Sequence, residues 1–189
     1  MSRRTVEWGA GEYYHFYNRG HNRERIFYER ENYRFFLQQL HKYLLAVLDI
    51  VAYCLMPTHY HLLVRLKETG VSHRMQLLSI SHTKAMNTRY ERAGALYQGA
   101  FQAKLVNENE YLVHLSRYVH LNPVVAGLAK RPEEWEFSSY REYIGMRAGK
   151  LPTPDIVLSQ FPSPEAYREF VESYVPEDHS PIDGLLFEE

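Results

Sequence analysis

Two histidines one residue apart, His59 and His61, stand at the head of the apolar stretch Leu62-Leu63-Val64. Alternate residues of a strand project to one face, so these imidazoles lie side by side while Tyr60 faces the other way. Paired imidazoles a few Å apart are the beginning of a metal site. Further along, Tyr118 and Asn122 are four residues apart, which makes them neighbours on one helical surface. If that helix end meets the histidines, two imidazoles, an amide oxygen and a phenol share one small site. Such a ligand set leaves coordination positions open, and a cation held there can grip a phosphate oxygen and polarise phosphorus. The phenol beside it can attack. Its ordinary pKa of about 10 leaves only roughly one phenol in a thousand ionised at neutral pH, so the cation has to make a weak nucleophile sufficient. The product, a phosphotyrosine, keeps the energy of the broken phosphodiester and permits rejoining.

The elements that must position these groups follow from hydrophobic periodicity. Tyr13 to Asn18 reads as a first strand, followed by the polar, basic loop His21 to Arg25. Tyr33, Phe36, Leu37, Leu40, Leu44 and Val47 recur at helical spacing over Glu31 to Val47. Strands over Asp49–Leu55 and His59–Leu66, joined at Met56-Pro57-Thr58, form an antiparallel hairpin. A second helix runs from Ser72, its predicted cap, to Tyr90. A glycine-punctuated loop covers Gly94 to Phe101, and a fourth strand spans Gln102 to Val106. A third helix ends at Leu121, because Pro123 disfavours helix in the residue before it. Trp135 to Ile144 reads as a short helix, and Pro164 to Tyr174 as another. The order predicts an α+β protein with a ferredoxin-like split βαβ sandwich: a four-stranded antiparallel sheet, helices on one face, and a C-terminal helical extension. The expected division is a domain over 1–145 and an extension over 146–189.

Composition narrows the class. The 189 residues carry a net charge of −1, so any basic surface is local rather than global. Sixteen tyrosines fill core edges and, at some positions, offer faces on which bases stack. One cysteine excludes an intrachain disulfide and a CxxC metal site. No apolar run is long enough to span a membrane, which points to the cytoplasm. Candidate phosphate contacts are Arg19, Arg23, Arg25, Lys84, Arg89 and Lys104; Tyr97 and Phe101 are candidates for base stacking, with core plugging as the alternative. His15 and His82 are read as ordinary core or surface histidines, and His120 as structural or DNA-facing. For His59 and His61 alone, a structural hydrogen-bonded pair stays open beside a metal site. Tyr111 is the local alternative to Tyr118, and Asn122 could instead serve the backbone of its own helix end.

His59-Tyr60-His61 resembles the His-hydrophobic-His (HUH) motif of single-tyrosine transposases. Arg117-Tyr118-Val119-His120-Leu121-Asn122-Pro123-Val124 resembles the tyrosine segment of their REP-associated branch. Tyr17-Asn18-Arg19-Gly20, Tyr97-Gln98-Gly99-Ala100-Phe101 and Trp135-Glu136-Phe137-Ser138-Ser139-Tyr140 match in order and at sensible spacing. The resemblance implies a metal-dependent endonuclease and transposase that cleaves and rejoins single-stranded, hairpin-associated DNA. It implies Mg²⁺ or Mn²⁺ at His59 and His61 with Asn122 as third ligand, and Tyr118 as the nucleophile that takes the 5′-phosphate and frees a 3′-hydroxyl. A homodimer is compatible with it. Ala100 and Val125 stand where the family commonly has arginine, so two phosphate-gripping charges are absent. The alternative is a domesticated binder that holds structured single-stranded nucleic acid without cutting it.

Overall fold

The computed structural model describes residues 8–107 and 109–174. Four strands, β1 (Tyr13–Arg19), β2 (Leu48–Leu55), β3 (His59–Leu66) and β4 (Gln102–Val106), form one sheet in the order β2-β3-β1-β4. Every neighbouring pair is antiparallel. Helix α1 (Arg30–Leu44) connects β1 to β2, and α2 (Val71–Arg89) connects β3 to β4. This is the predicted ferredoxin-like sheet. Helix α3 (Asn109–Val125) follows, then the short α4 (Tyr140–Tyr143) and α5 (Asp155–Leu158), and α6 (Pro164–Glu172).

Helices cover both faces of the sheet, not one. Period-two alternation divides β1 into Tyr14 and Phe16 on one side and Tyr13, His15, Tyr17 and Arg19 on the other. Tyr14 and Phe16 join Tyr60, Leu62 and Val64 of β3 in a core that α1 closes with Phe36, Leu40 and Leu44, and α2 with Met75, Leu78 and Met86. The opposite face packs Leu63, Val51, Ala52 and Cys54 against Leu112, Leu115 and Val119 of α3 and against Tyr140, Tyr143, Tyr167 and Val171. A register shift between Ile50 and Ala52 turns Val51 and Ala52 to this second face in succession. A strand sequence rich in apolar residues on both sides therefore reflects two buried faces.

Three local expectations change. Helix α3 runs through Pro123 to Val125. A proline in the last turn deletes a single backbone bond, and the turn closes beyond it through the Ala126 N–H to the Asn122 carbonyl (3.0 Å) and the Leu128 N–H to the Pro123 carbonyl (2.8 Å). Trp135 to Ile144 is not one helix. Leu55 N–H donates to Phe137 O (2.9 Å) and Ser139 N–H to Tyr53 O (3.0 Å), so this segment lies extended against the outer edge of β2 before α4 begins. Ser72 does not cap α2, whose N-cap is Gly70; the Ser72 hydroxyl instead accepts from Trp8 Nε1 at 2.8 Å. Among the described residues no helix is long and apolar enough to cross a membrane.

Two buried histidines tie the layers together. His120 of α3 is fully buried; its Nδ1 lies 2.7 Å from the Tyr167 hydroxyl and its Nε2 2.8 Å from Ser139 Oγ. His82 of α2 is fully buried, with Nδ1 2.6 Å from the Tyr97 hydroxyl. Burial pushes both imidazoles down to about 3, so both are neutral in the folded protein. Because the folded value is below the unfolded one of about 6.5, each contributes stability that is complete above pH 6.5 and lost as pH falls. Unfolding free energy, measured by urea denaturation across pH, should therefore be independent of these two histidines above pH 7. It should decline between about pH 6.5 and 3 by about 1.4 kcal/mol per unit for each histidine. Substituting phenylalanine for His120 should remove its share of that slope.

Candidate active site

The β1–β3 register places Tyr17 opposite His61 and Arg19 opposite His59. His15, Tyr17, Arg19, His59 and His61 therefore share the face that α3 covers. His59 and His61 have ring centroids 4.9 Å apart at 83°. The ring of Tyr118 crosses that of His61 edge-on at 5.4 Å between centroids. Asn122, one turn along α3, brings Oδ1 to 3.3 Å from His59 Nε2. The structure thus assembles all four residues that the sequence singles out for chemistry, within one chain. Asn122 is buried inside the helix and its side chain turns to His59, not to its own helix end.

The imidazoles are held from behind. His59 Nδ1 lies 2.9 Å from Thr58 Oγ1, and His61 Nδ1 lies 3.0 Å from His15 Nε2. Burial, with His59 and His15 close by, holds His61 well below the ordinary histidine range. It is neutral at pH 7, the form in which an imidazole ligates a metal. Whether the residues fit a small divalent cation can be judged from the donors. Two atoms bound at about 2.1 Å and right angles to one Mg²⁺ lie about 3 Å apart, and His59 Nε2 and Asn122 Oδ1 are 3.3 Å apart. The amide oxygen suits Mg²⁺ or Mn²⁺, and the imidazole nitrogens suit transition-metal ions. The fit is good.

Two cavities meet at Arg19, and one of them reaches His59. One, of about 370 Å³, is bounded by Arg19, Arg23, Arg25, Thr58 and His59. The other, of about 530 Å³, is bounded by Tyr17, Arg19, Gln98, Gly99, Gln102 and Lys104. Arg19 borders both, and its Nε donates to Gln98 Oε1. The 94–101 loop is zipped onto the end of β1 through Gln98 N–H to Arg19 O (3.0 Å) and His21 N–H to Leu96 O (2.9 Å). Gly20 is needed where it stands, since a Cβ there would run into the Glu24 carbonyl. Asn22 and Arg23 both adopt left-handed backbone, φ 52° and 58°, a strained turn that points basic side chains past Thr58.

The remaining sequence candidates lie elsewhere. Lys84 and Arg89 are exposed on α2, across the sheet from the histidines, and Arg89 pairs with Glu29. Tyr97 is buried, its hydroxyl on His82 and its ring edge-on to Tyr60, and Phe101 packs on Phe16 and Trp8. Both aromatics seal the α1/α2 core. Arg117, next to Tyr118, is buried over the Phe170 ring at 4.4 Å. His15, Thr58, Tyr17, Gln98 and Gln102 border the site without having been singled out. Alternation in β1 sets His15 and Tyr17 in phase with Arg19, but only pairing with β3 brings them to the histidine pair.

The family model for IS200-like transposases matches residues 10–122. Over 103 residues the chain is 26% identical to a Haemophilus influenzae protein described as a REP-associated tyrosine transposase. That match covers 49% of this chain and 58% of the relative, so the chain spans less than two thirds of the relative's length. Among solved structures, a REP-associated tyrosine transposase bound to a REP hairpin aligns with a TM-score of 0.63 and 18% identity. The alignment covers 81% of this chain and 94% of that one, and at such identity the likeness concerns the fold. Because Tyr97 belongs to the core, Tyr97→Phe should lower the unfolding free energy by about 1–3 kcal/mol in urea titrations, as His82 Nδ1 loses its partner. An unchanged stability would return Tyr97 to the surface candidates.

Proposed function

The chain belongs to the IS200-like transposase family, and from that premise we propose that it is a metal-dependent tyrosine transposase that cleaves and rejoins single-stranded, hairpin-associated DNA. The observation that carries the proposal is the meeting of Tyr118, His59, His61 and Asn122 on one side of the sheet. Tyr118 is the nucleophile. Its hydroxyl oxygen forms a bond to the scissile phosphorus while the bond from phosphorus to the 3′-oxygen breaks. The phenol proton leaves to solvent and the departing oxygen takes one up as a 3′-hydroxyl. The 5′-phosphate then remains on Tyr118, and attack by a 3′-hydroxyl reverses the step. His59, His61 and Asn122 would hold Mg²⁺ or Mn²⁺, which when bound supplies charge neutralisation and polarisation at the phosphate. Orientation is what the chain itself contributes: the Tyr118 ring stands edge-on against that of His61, one of the proposed ligands.

The two cavities give the strand a route past the histidines. Arg23 and Arg25 hold backbone phosphates on one side, Lys104 and Gln102 on the other, and Arg19 bridges them. The two absent family arginines border this route. Ala100 lines the larger cavity, which keeps Lys104, and Val125 adjoins Ala126, which lines the smaller one with its three arginines. Local basic groups therefore coexist with a net charge of −1. The REP hairpin held by the structural neighbour makes a short DNA hairpin with a single-stranded foot the substrate to try first.

Incubated with labelled hairpin DNA and Mn²⁺, the protein should form an adduct that survives denaturant, and Tyr118→Phe should form none. Equal labelling of the two would sink the proposal. Tyr118 and His61 meet within one chain, so a mixture of Tyr118→Phe and His61→Ala proteins should stay inactive. Restored cleavage in the mixture would instead mean that active sites are built between two copies. Arg19→Ala should weaken single-stranded DNA binding roughly tenfold in fluorescence-anisotropy titrations. Lys84→Ala and Arg89→Ala, on the far layer, should leave it within twofold, or about 0.4 kcal/mol.

A further inference from the structure

His15 is fully buried on β1, carries no role in the proposed chemistry, and places Nε2 3.0 Å from His61 Nδ1. We propose that His15 is a positioning residue that accepts from His61 Nδ1 and so supports the tautomer in which His61 Nε2 can hold the metal. The inference rests on the metal reading of His59, His61 and Asn122 given above.

The argument is one of proton counting. A bond between two neutral imidazole nitrogens needs one N–H and one lone pair. In one arrangement the His15 Nε2–H donates to His61 Nδ1, the His61 proton sits on Nε2, and no lone pair is left there for a cation. In the other the His61 Nδ1–H donates to His15 Nε2, and His61 Nε2 carries the lone pair that ligation requires. The same bond joins both arrangements, so the geometry alone favours neither; the cation selects the second. In that state His15 does what a carboxylate or carbonyl does behind most metal-bound histidines: it accepts from the far nitrogen and fixes the ring.

Three features support a positioning role. The rings of His15 and His61 lie nearly parallel, 23° apart with centroids 5.2 Å apart, so their edges meet through the hydrogen bond. Both residues are fully buried, which leaves water little access to replace the bond. The neighbouring ligand has a matching arrangement, with Thr58 Oγ1 2.9 Å from His59 Nδ1, an oxygen that can accept from that nitrogen and leave His59 Nε2 facing Asn122. Each histidine of the pair is thus gripped at Nδ1 by a different element, the turn before β3 for His59 and the adjacent strand for His61.

Mn²⁺ binding to the full chain, followed by electron paramagnetic resonance without DNA, tests this independently of cleavage. His15→Phe removes the acceptor and should weaken Mn²⁺ binding by roughly 10- to 100-fold. His15→Gln, whose side-chain oxygen can accept from His61 Nδ1, should restore affinity to within a few-fold of the wild type. Long-range ¹H–¹⁵N spectra of the wild type with diamagnetic Mg²⁺ should place the His61 proton on Nδ1, a readout that needs no variant to fold. Unchanged Mn²⁺ affinity in folded His15→Phe, failure of folded His15→Gln to recover it, or a His61 proton on Nε2 in the loaded protein would overturn the inference alone. A wild type that takes up neither cation would overturn the metal reading and this inference with it.

Discussion

Antiparallel pairing of β1 with β3 governs the rest of the site. Its register sets Tyr17 across from His61 and Arg19 across from His59, and brings the His15 ring to that of His61. Because strand side chains alternate with a period of two, a slip by a single residue would exchange His15 and Tyr17 for Tyr14 and Phe16. That slip would bury imidazole and guanidinium groups in the α1/α2 core and expose large apolar rings. The cost of misplacing both sets fixes the register, and the register delivers the histidines, the bridging arginine and the cavity walls to one surface. Site geometry is in this sense a by-product of core formation on the opposite face.

The second half of the site depends on how α3 is seated. Tyr118 and Asn122 reach the sheet because Leu112, Leu115 and Val119 pack on β2 and β3 and because His120 is clamped from the other side. The clamp spans distant segments, Ser139 beside β2 and Tyr167 of α6, and a Ser116 hydroxyl 3.0 Å from the Tyr167 hydroxyl extends it along the helix. A neutral, fully buried imidazole suits this duty, since it can donate at one nitrogen and accept at the other without a charge to desolvate. His120 and Tyr118 are two residues apart and so face different directions, one holding the helix and the other facing the histidines. Residues that look remote from the chemistry, in α6 and in the 135–139 segment, therefore determine where the phenol stands.

The sheet, its antiparallel order and the assembly of His59, His61, Tyr118 and Asn122 were legible because they rest on short-range rules: alternation in strands, helical spacing, a tight turn. What was not legible depends on contacts between distant segments. Helices on both faces could not be told from helices on one, because a strand buried twice, such as β2, carries no alternation to read. Pro123 marked a helix end by its local effect, whereas bonds made beyond it carried the helix on to Val125. Tyr97 sits in a glycine-rich loop that looks exposed until the loop is seen zipped to β1 and its hydroxyl bonded to His82. His15 was passed over because a single histidine in an apolar strand has no partner in its own neighbourhood of sequence. Its partner is His61, brought beside it only by strand pairing.

Charge explains how such a site works in a protein that is slightly acidic overall. The burial that holds His61 neutral also keeps it from repelling a cation, so His61 can offer a lone pair in place of positive charge. Positive charge lies instead around the rim, on Arg19, Arg23 and Arg25 bordering one cavity and Lys104 the other. Separating the two functions has a consequence for phosphate chemistry. In the proposed function, rim arginines would neutralise phosphates on either side of the reacting one and hold the strand still, while the centre would stay open for the group on which charge develops. A grip equally strong on substrate and transition state adds affinity but no rate. The proposed phenol nucleophile, too weak to react from solution, would draw on both a grip at the edges and polarisation at the centre.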